Sequence, residues 1–491
     1  AIGHAALVNN TSNKNTAIGH GTLASNTTAS NNTGIGYQAL TANTTGTRNS
    51  ALGYGALDAN TTGNHNTALG YLSLSANTTA DSNTAVGDEA LKTNITGHSN
   101  VAVGKNALMF STTAFSNTAV GFASLKQNTT GKRNVAMGVN ALLNSTTGSN
   151  NIALGESALL SNTTGGSNTA LGYRSLDANT TGFNNVAVGQ DSLGANTTAH
   201  SNVAIGLFSL KTNTTGSSNV AIGYDALSDN TTASNNVAVG RDALHANTTG
   251  SLNTAVGSLA MDASTTASNC TAVGYSALGS LTTGFRNIGV GQNALGALTT
   301  GIYNVAVGTF ANQNATTASS NVAMGYHALN QTTTGGSNVG VGYECLSNNT
   351  TASNNTALGS QALTANTTGA GNVAVGTEAL DANTTANNNT AVGYLALTTN
   401  TTGTNNVAVG MQSQKFNTTG DFNVATGTNS LIFNTTGRFN TGLGHAALQE
   451  NTTASDNTAV GSFALKENTT GIENVAVGSQ FQLCFLLKQT Q

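Results

Sequence analysis

Apolar and polar residues recur along this chain with a period of seventeen residues. The segment NVAIGYDALSDNTTASN (Asn219–Asn235) is followed directly by NVAVGRDALHANTTGSL (Asn236–Leu252). The two match at the leading asparagine, the Val-Ala-aliphatic-Gly run, the Ala-Leu pair and the Asn-Thr-Thr triplet. We number the positions of each repeat from 1 at its leading asparagine, and we call one position followed through successive repeats a column. A constant period with fixed columns predicts that each unit stacks on an equivalent one.

Short segments of strand length separate the variable positions of each repeat. Positions 1–5 and 12–15 are rich in β-branched residues, which favours strands. A helix is excluded because glycine and asparagine recur too often and seventeen does not fit an unbroken 3.6-residue period. The pattern therefore predicts an all-β fold, a parallel β-solenoid or β-roll with 17 residues per coil and about 28 coils. At about 4.7–4.9 Å per stacked strand, such a rod would be roughly 130 Å long.

Four columns change so little that we expect them to form structural ladders. Stacked asparagine amides can bond along the stack or to the backbone of turns. An unchanging glycine implies either a positive φ or a neighbour too close for a β-carbon. Representative members are Asn202, Asn219 and Asn236 at position 1, Gly206, Gly223 and Gly240 at position 5, Leu210, Leu227 and Leu244 at position 9, and Thr215, Thr232 and Thr249 at position 14.

The few charged residues identify the columns that face water. The chain has 15 lysines and arginines and 19 aspartates and glutamates, 7% of its residues, with a formal net charge of -4. All except Lys488 lie at positions 6, 7, 10, 11, 16 and 17, which predicts three exposed corners and leaves the other columns buried or sterically pinned. The charged residues form no basic track that could bind nucleic acid. The sequence also has no apolar run of roughly 20 residues, so we expect no membrane insertion in this segment.

The repeat sets the predicted boundaries of the chain's parts. We expect residues 1–479 to form the repetitive β-solenoid rod and residues 480–491 to form a non-repeat C-terminal tail or cap. The chain opens inside a repeat at AIGH without a methionine, which favours a mature or partial chain. Cys270, Cys345 and Cys484 share no spacing with each other or with histidine, so neither a disulfide framework nor a metal site is predicted.

The strand of each repeat suggests that the chain associates with copies of itself. In NVAIG, Val220 and Ile222 point to one side while Asn219 and Ala221 point to the other. One side is aliphatic and the other is restricted to small residues, so we expect both to be buried. A coil wall has only one inside, and another copy of the chain is the simplest cover for its second face. We therefore expect a homo-oligomer.

Catalysis has little support in the sequence. The eight histidines, among them His65, His98, His200 and His327, belong to no common constellation. Carboxylates lie at the predicted corners without a recurring partner, as general acid–base chemistry would require. We expect no enzyme activity, no catalytic residues and no cofactor.

Three surface features leave binding alternatives open. Tyr37, Tyr54 and Tyr71 occupy position 6 in successive repeats and could form a glycan-contact stripe, or simply stack on each other. The recurring Asn-Thr-Thr is a sequon for N-linked glycan, although a second ladder at a corner is the favoured interpretation. Threonine ladders also occur in ice-binding solenoids. That role needs a flat outward array, whereas adjacent threonines at positions 13 and 14 point to opposite faces.

Short signatures within the repeats resemble a known family. SNVAIG (Ser201–Gly206), NNVAVG (Asn235–Gly240) and SNTAVG (Ser116–Gly121) are similar to the Asn-Ser-Val-Ala-Ile-Gly signature of YadA-like head repeats. Those repeats belong to trimeric autotransporter adhesins of bacterial surfaces, and related repeats occur in phage tail fibres. The seventeen-residue unit, with its added NTTG segment, is longer than the usual head repeat.

The resemblance implies a left-handed β-roll, three chains around one axis, and binding to a host, matrix or glycan surface. The leading hypothesis is a structural, surface-exposed fibre or adhesin rod, extracellular on a bacterial cell surface. The alternatives are a phage or virus tail-fibre shaft on a virion and a self-assembling extracellular filament; an ice-binding solenoid is a lesser one.

Overall fold

The fold is an all-β parallel solenoid. The computed structural model describes residues 1–480, so the predicted tail lies outside the described residues except for Gln480. The described residues form three-residue strands, one in each seventeen-residue coil, and no helix. Residues 1–480 accordingly contain no helix long and apolar enough to cross a membrane. The described residues divide into two compact units, Ala1–Thr249 and 250–480.

Each unit contributes fourteen strands within residues 1–480. The strands of the first unit are β1 Thr16–Ile18, β2 Thr33–Ile35, β3 Ser50–Leu52, β4 Thr67–Leu69, β5 Thr84–Val86, β6 Val101–Val103, β7 Thr118–Val120, β8 Val135–Met137, β9 Ile152–Leu154, β10 Thr169–Leu171, β11 Val186–Val188, β12 Val203–Ile205, β13 Val220–Ile222 and β14 Val237–Val239. The strands of the second unit are β15 Thr254–Val256, β16 Thr271–Val273, β17 Ile288–Val290, β18 Val305–Val307, β19 Val322–Met324, β20 Val339–Val341, β21 Thr356–Leu358, β22 Val373–Val375, β23 Thr390–Val392, β24 Val407–Val409, β25 Val424–Thr426, β26 Thr441–Leu443, β27 Thr458–Val460 and β28 Val475–Val477.

Within each unit, every strand pairs in parallel with the strand of the next coil, seventeen residues on. In β12 and β13, for example, Val203 lies beside Val220 and Ala204 lies beside Ala221. The same register continues into β14, and β15 and β16 show it in the second unit. Like residues therefore lie over like residues, as the constant period predicted.

The chain forms one strand per coil because three positions in each coil adopt left-handed backbone conformations. In the coil that begins at Asn219, these are Asp225 (φ 50°), Leu227 (φ 53°) and Asn235 (φ 62°). A left-handed conformation breaks extended structure, so positions 5–17 run through turns and bends. Coil-to-coil backbone bonds nevertheless continue there, as between Leu227 N and Ala243 O at 2.9 Å. Thr231 N likewise donates to Thr248 O at 3.1 Å, so the Asn-Thr-Thr segment is paired between coils without being a strand.

The interior is narrow and is filled by six columns. Positions 1, 3, 8, 9, 12 and 15 point inward; Asn219, Ala221, Ala226, Leu227 and Asn230 are all fully buried. Leucine is the largest side chain inside a typical coil, and alanine and asparagine fill the rest. Because the interior takes such small residues, the larger aliphatic side chains at positions 2 and 4 point outward.

The glycine at position 5 meets both conditions that its constancy implied. Gly223 has φ 138°, a backbone conformation that side chains rarely allow. A Cβ on Gly223 would also collide with the carbonyl group of Gly240 in the next coil. The close approach of successive coils at this corner therefore requires glycine.

Candidate functional site

In the first unit, the leading asparagines form a ladder along the interior. Asn236 N donates to Asn219 Oδ1 at 2.9 Å, and Asn219 N donates to Asn202 Oδ1 at 2.9 Å. Asn219 Nδ2 donates to Ala233 O, also at 2.9 Å, which ties the start of one coil to its own last turn. Each asparagine side chain thus bonds to the neighbouring coil and also bonds the start of its own coil to the last turn of that coil. The three asparagines lie one above another, as expected.

A second asparagine ladder runs along position 12. Asn230 Nδ2 donates to Asn213 Oδ1 at 2.7 Å in the preceding coil and to Ala233 O at 3.0 Å in its own coil. Both Asn213 and Asn230 are fully buried. These amides are the sequon asparagines, and in the folded coil their donors are already bonded and have no access to solvent. The position favours the structural interpretation over glycan attachment.

The leucine and threonine columns lie on opposite sides of the coil wall. Leu210, Leu227 and Leu244 are fully buried, as a core column should be. The threonines at position 14, including Thr215, Thr232 and Thr249, are exposed. Position 13 is half-buried, and its hydroxyls bond to the next coil, as in Thr214 Oγ1 to Thr231 O at 3.0 Å. The position-13 threonines therefore hydrogen-bond successive coils to each other, whereas the position-14 threonines face outward.

The outward side chains at positions 2 and 4 form what we call the aliphatic face of the coil. Its larger members are substantially exposed in the single chain: Leu52 is 47% exposed, Met137 45%, Leu171 42% and Ile222 37%. No charged residue occupies either column. The sequence correctly placed aliphatic and small residues on opposite sides of the strand. The absence of charged residues from these two columns does not mean that they are buried within one chain, however, because the aliphatic face is exposed to solvent.

The position-6 tyrosines belong to a longer aromatic stack. His4, His20, Tyr37, Tyr54 and Tyr71 stack in succession, with ring centroids 5.1, 5.3, 5.0 and 5.4 Å apart. The three tyrosines are between 43% and 51% exposed. Because the rings within the stack face one another, their edges are what they offer to solvent. Glycan contact by these tyrosines stays a prediction.

Sequence reasoning did not single out a groove in the second unit. Phe416 and Phe433 occupy position 11 of successive coils and stack with centroids 5.6 Å apart and rings 3° from parallel. Threonine side chains and Glu450 line the groove beside them: Thr399, Thr418, Thr435 and Thr452. The signal available in the sequence was the recurrence of phenylalanine in one exposed column of two neighbouring repeats.

The histidines named in the sequence lie apart, each with its own neighbour. His65 Nε2 is 3.0 Å from Arg48 Nη1, His98 stacks on Phe115, and His200 stacks on Phe183. His327 stacks on Tyr326, with centroids 4.1 Å apart. Within the first unit, the structure does not bring His65, His98 and His200 together.

Shifted pKa values fall on scattered residues. Burial raises the pKa of Cys345 to about 12, and it also raises the pKa of Cys270. Burial likewise raises the pKa of Asp58 and of Asp381, both at position 10 of their coils. These groups sit in different coils, and the same physical cause accounts for each.

The fold and its surfaces define a class, the β-solenoid repeat proteins. No protein-family model matches the chain, and no curated protein matches it significantly. The resemblance of SNVAIG and its variants to YadA-like head repeats therefore supports a proposal and does not assign the chain to a family.

Proposed function

We propose that this chain is a structural, surface-exposed fibre or adhesin rod that works as a homo-oligomer, most simply a trimer. It serves as a rigid spacer and as an attachment surface for a matrix or glycan ligand, outside a bacterial cell. The family resemblance of its signatures supports this proposal. No catalytic or cofactor chemistry is part of it.

The aliphatic face is the single observation that carries the proposal. A row of Val, Ile, Leu and Met side chains is exposed at position 4 on coil after coil, and contiguous apolar surface of this kind is typical of an interaction surface. Full burial of an exposed side chain of this size contributes about 1.5–3 kcal/mol; because the four larger members described above are 37–47% exposed in the single chain, covering the rest contributes about 0.6–1.4 kcal/mol each. Charges are absent from these two columns but present at the corners, which is the arrangement expected where a second copy covers the strand.

Solution mass tests this directly. We expect light scattering on the size-separated full chain to give a multiple of the 48.9 kDa chain mass, three for a trimer. Lysine at Ile205, Ile222 and Val239 should lower that mass, because three charges would enter the covered face. The control places lysine at corner position 6 of the first two of these coils, at Leu207 and Tyr224, because the third coil already carries Arg241 there and the repeat tolerates charge at this position. A wild-type monomer at micromolar concentration would refute assembly through this face.

The alternatives predict different behaviour in the same measurement. A mass that grows with concentration, without a fixed multiple, would favour the self-assembling filament. A fixed multiple fits both an adhesin and a phage or virus fibre shaft. Neighbouring sequence distinguishes these two: a coiled-coil stalk with a membrane-anchor barrel favours the adhesin, whereas a virion-attachment domain favours the shaft.

A further inference from the structure

Three potential metal ligands converge on the outer surface of the first unit. Asp225 and Asp242 occupy position 7 of successive coils, and His245 lies three residues after Asp242. Each residue offers one ligand atom, and these atoms all lie within 4.8 Å of one another. Among residues 1–480, this is the one group of three such side chains so arranged.

The stacking register brings the two carboxylates together. Asp225 and Asp242 have nearly the same backbone conformation, φ 50° and φ 55°, because they are the same position of equivalent coils. Asp242 N donates to Tyr224 O at 3.0 Å, which holds the two coils in line beside these residues. Like charges placed directly opposite each other on paired backbone segments are destabilising. A cation between them would remove that repulsion.

A second pair of stacked coils in the same unit shows how such charges are otherwise neutralised. Arg174 Nε lies 3.1 Å from Asp177 Oδ2 and 3.8 Å from Asp191 Oδ1, so one guanidinium serves two carboxylates. At the Asp225–Asp242 pair, Arg241 Nε lies 3.0 Å from Asp242 Oδ2, and the Arg241 side chain is 65% exposed. Arg241 thus binds one carboxylate from the solvent side and is free to turn away.

The imidazole of His245 is the one nitrogen ligand of the group, and it indicates which class of cation would bind there. His245 Nδ1 is 3.0 Å from Ser228 Oγ, a contact that fixes the orientation of the ring. His245 Nε2 is 4.0 Å from Asp229 Oδ2, which adds a third carboxylate at the edge of the group. Metal-binding histidines usually have a hydrogen-bond partner at the ring nitrogen that does not bind the metal, and Ser228 holds that place at His245 Nδ1. One imidazole with carboxylates suits zinc and its transition-metal neighbours, whereas magnesium and calcium prefer oxygen ligands alone.

We propose that Asp225, Asp242 and His245 form a binding site for a divalent transition-metal cation of the zinc type. The ion links two successive coils on the outer surface of the first unit. Water completes its coordination, and Arg241 competes with it for Asp242.

The test is calorimetric titration of the untagged full chain with zinc chloride in a buffer free of phosphate and chelators. We expect one saturable site per chain, weakened about tenfold or more in His245→Ala and in Asp225→Asn. The matched control is His98→Ala, which removes an exposed histidine stacked on Phe115 and should leave affinity unchanged. Arg241→Gln should bind zinc more tightly than wild type, because the competing guanidinium is gone.

Cobalt(II) gives an independent readout, since its visible absorption reports a nitrogen–oxygen ligand set. Wild type and His98→Ala should give the same bound spectrum, and His245→Ala should lose it. Circular dichroism of each variant in the absence of metal verifies that the coils remain folded. Equal zinc affinity in wild type and His245→Ala would overturn the proposal. So would the absence of saturable binding, or weaker binding by Arg241→Gln.

Discussion

The position-12 ladder is interrupted at Ser145, and restoring it should stabilise the coils on either side. An intact step has two bonds per amide: Asn43 Nδ2 donates to Asn26 Oδ1 at 2.8 Å and to Gly46 O at 2.9 Å. At the interruption, Ser145 Oγ and the Oδ1 atom of Asn128 are both buried without a hydrogen-bond partner. Ser145→Asn supplies the missing amide.

The size of the effect follows from the bonds restored. The new amide gives Asn128 Oδ1 a donor and offers an acceptor to Asn162, whose Nδ2 now donates to Gly165 O at 3.0 Å. Each net hydrogen bond contributes about 0.5–1.5 kcal/mol, and an unsatisfied buried acceptor costs about 1–3 kcal/mol. We therefore expect the free energy of local opening to rise by about 1.5–3 kcal/mol. That corresponds to roughly tenfold to hundredfold slower exchange.

Hydrogen exchange resolved by mass spectrometry is the suitable assay, because long repeat arrays do not unfold in one step. Peptides that cover residues 128–165 should exchange more slowly in Ser145→Asn than in wild type. The control Ser161→Asn makes the same chemical change at half-buried position 11, outside the ladder, and should change little. Exchange in Ser145→Asn that is no slower than in Ser161→Asn would refute the reasoning.

Three further predictions concern buried polar and titratable groups. Asn312 replaces a core leucine and has both amide atoms buried without a partner, so Asn312→Leu should slow local exchange by an amount equivalent to about 2 kcal/mol or more. Burial raises the pKa of Asp58. The stability that this carboxyl contributes is therefore present below the ordinary carboxyl pKa and is lost as pH rises through the raised value. Asp58→Asn should consequently be better protected from exchange than wild type at pH 7, and no better protected at pH 3. With a pKa of about 12, the Cys345 thiol should resist a thiolate-directed reagent at pH 8 in the native Cys484→Ser protein and react on unfolding.

Each of these has an outcome that contradicts it. Unchanged or faster exchange around Asn312→Leu would mean that the amide is satisfied in solution. A gain from Asp58→Asn that persists at pH 3 would point to packing rather than charge. Rapid labelling of native Cys345 would show that its coil opens readily.

The register of the fold was predictable because stacking constrains every coil in the same way. One misplaced residue in a column touches two neighbouring coils, so constancy at positions such as Gly223 and Asn219 carries structural information. Confinement of charges to a few columns also located the corners. The left-handed conformation of Leu227 was not predictable, because leucine disfavours positive φ and the stack imposes it.

The surface was harder to predict than the core. The sequence predicted that both faces of the strand are buried, one of them by another copy of the chain, without indicating which face is the outer one. In the single chain the aliphatic side is the outer one, with Ile222 37% exposed, and its cover by a second copy stays a prediction. Lack of charge does not distinguish an interior residue from one on an open apolar face. The Asp225–Asp242–His245 group needs the column register and the proximity of positions 7 and 10, and only the register was readable from the sequence.

Within each unit, the position-12 asparagine ladder has a polarity. Every position-12 amide that continues the ladder points its N–H toward the preceding coil, as Asn230 does to Asn213, so the amide dipoles add head to tail. Aligned dipoles polarise one another and strengthen the row as it lengthens. At the ladder positions, a coil that joins the stack therefore meets amide acceptors at one end and amide donors at the other, and only one orientation satisfies both.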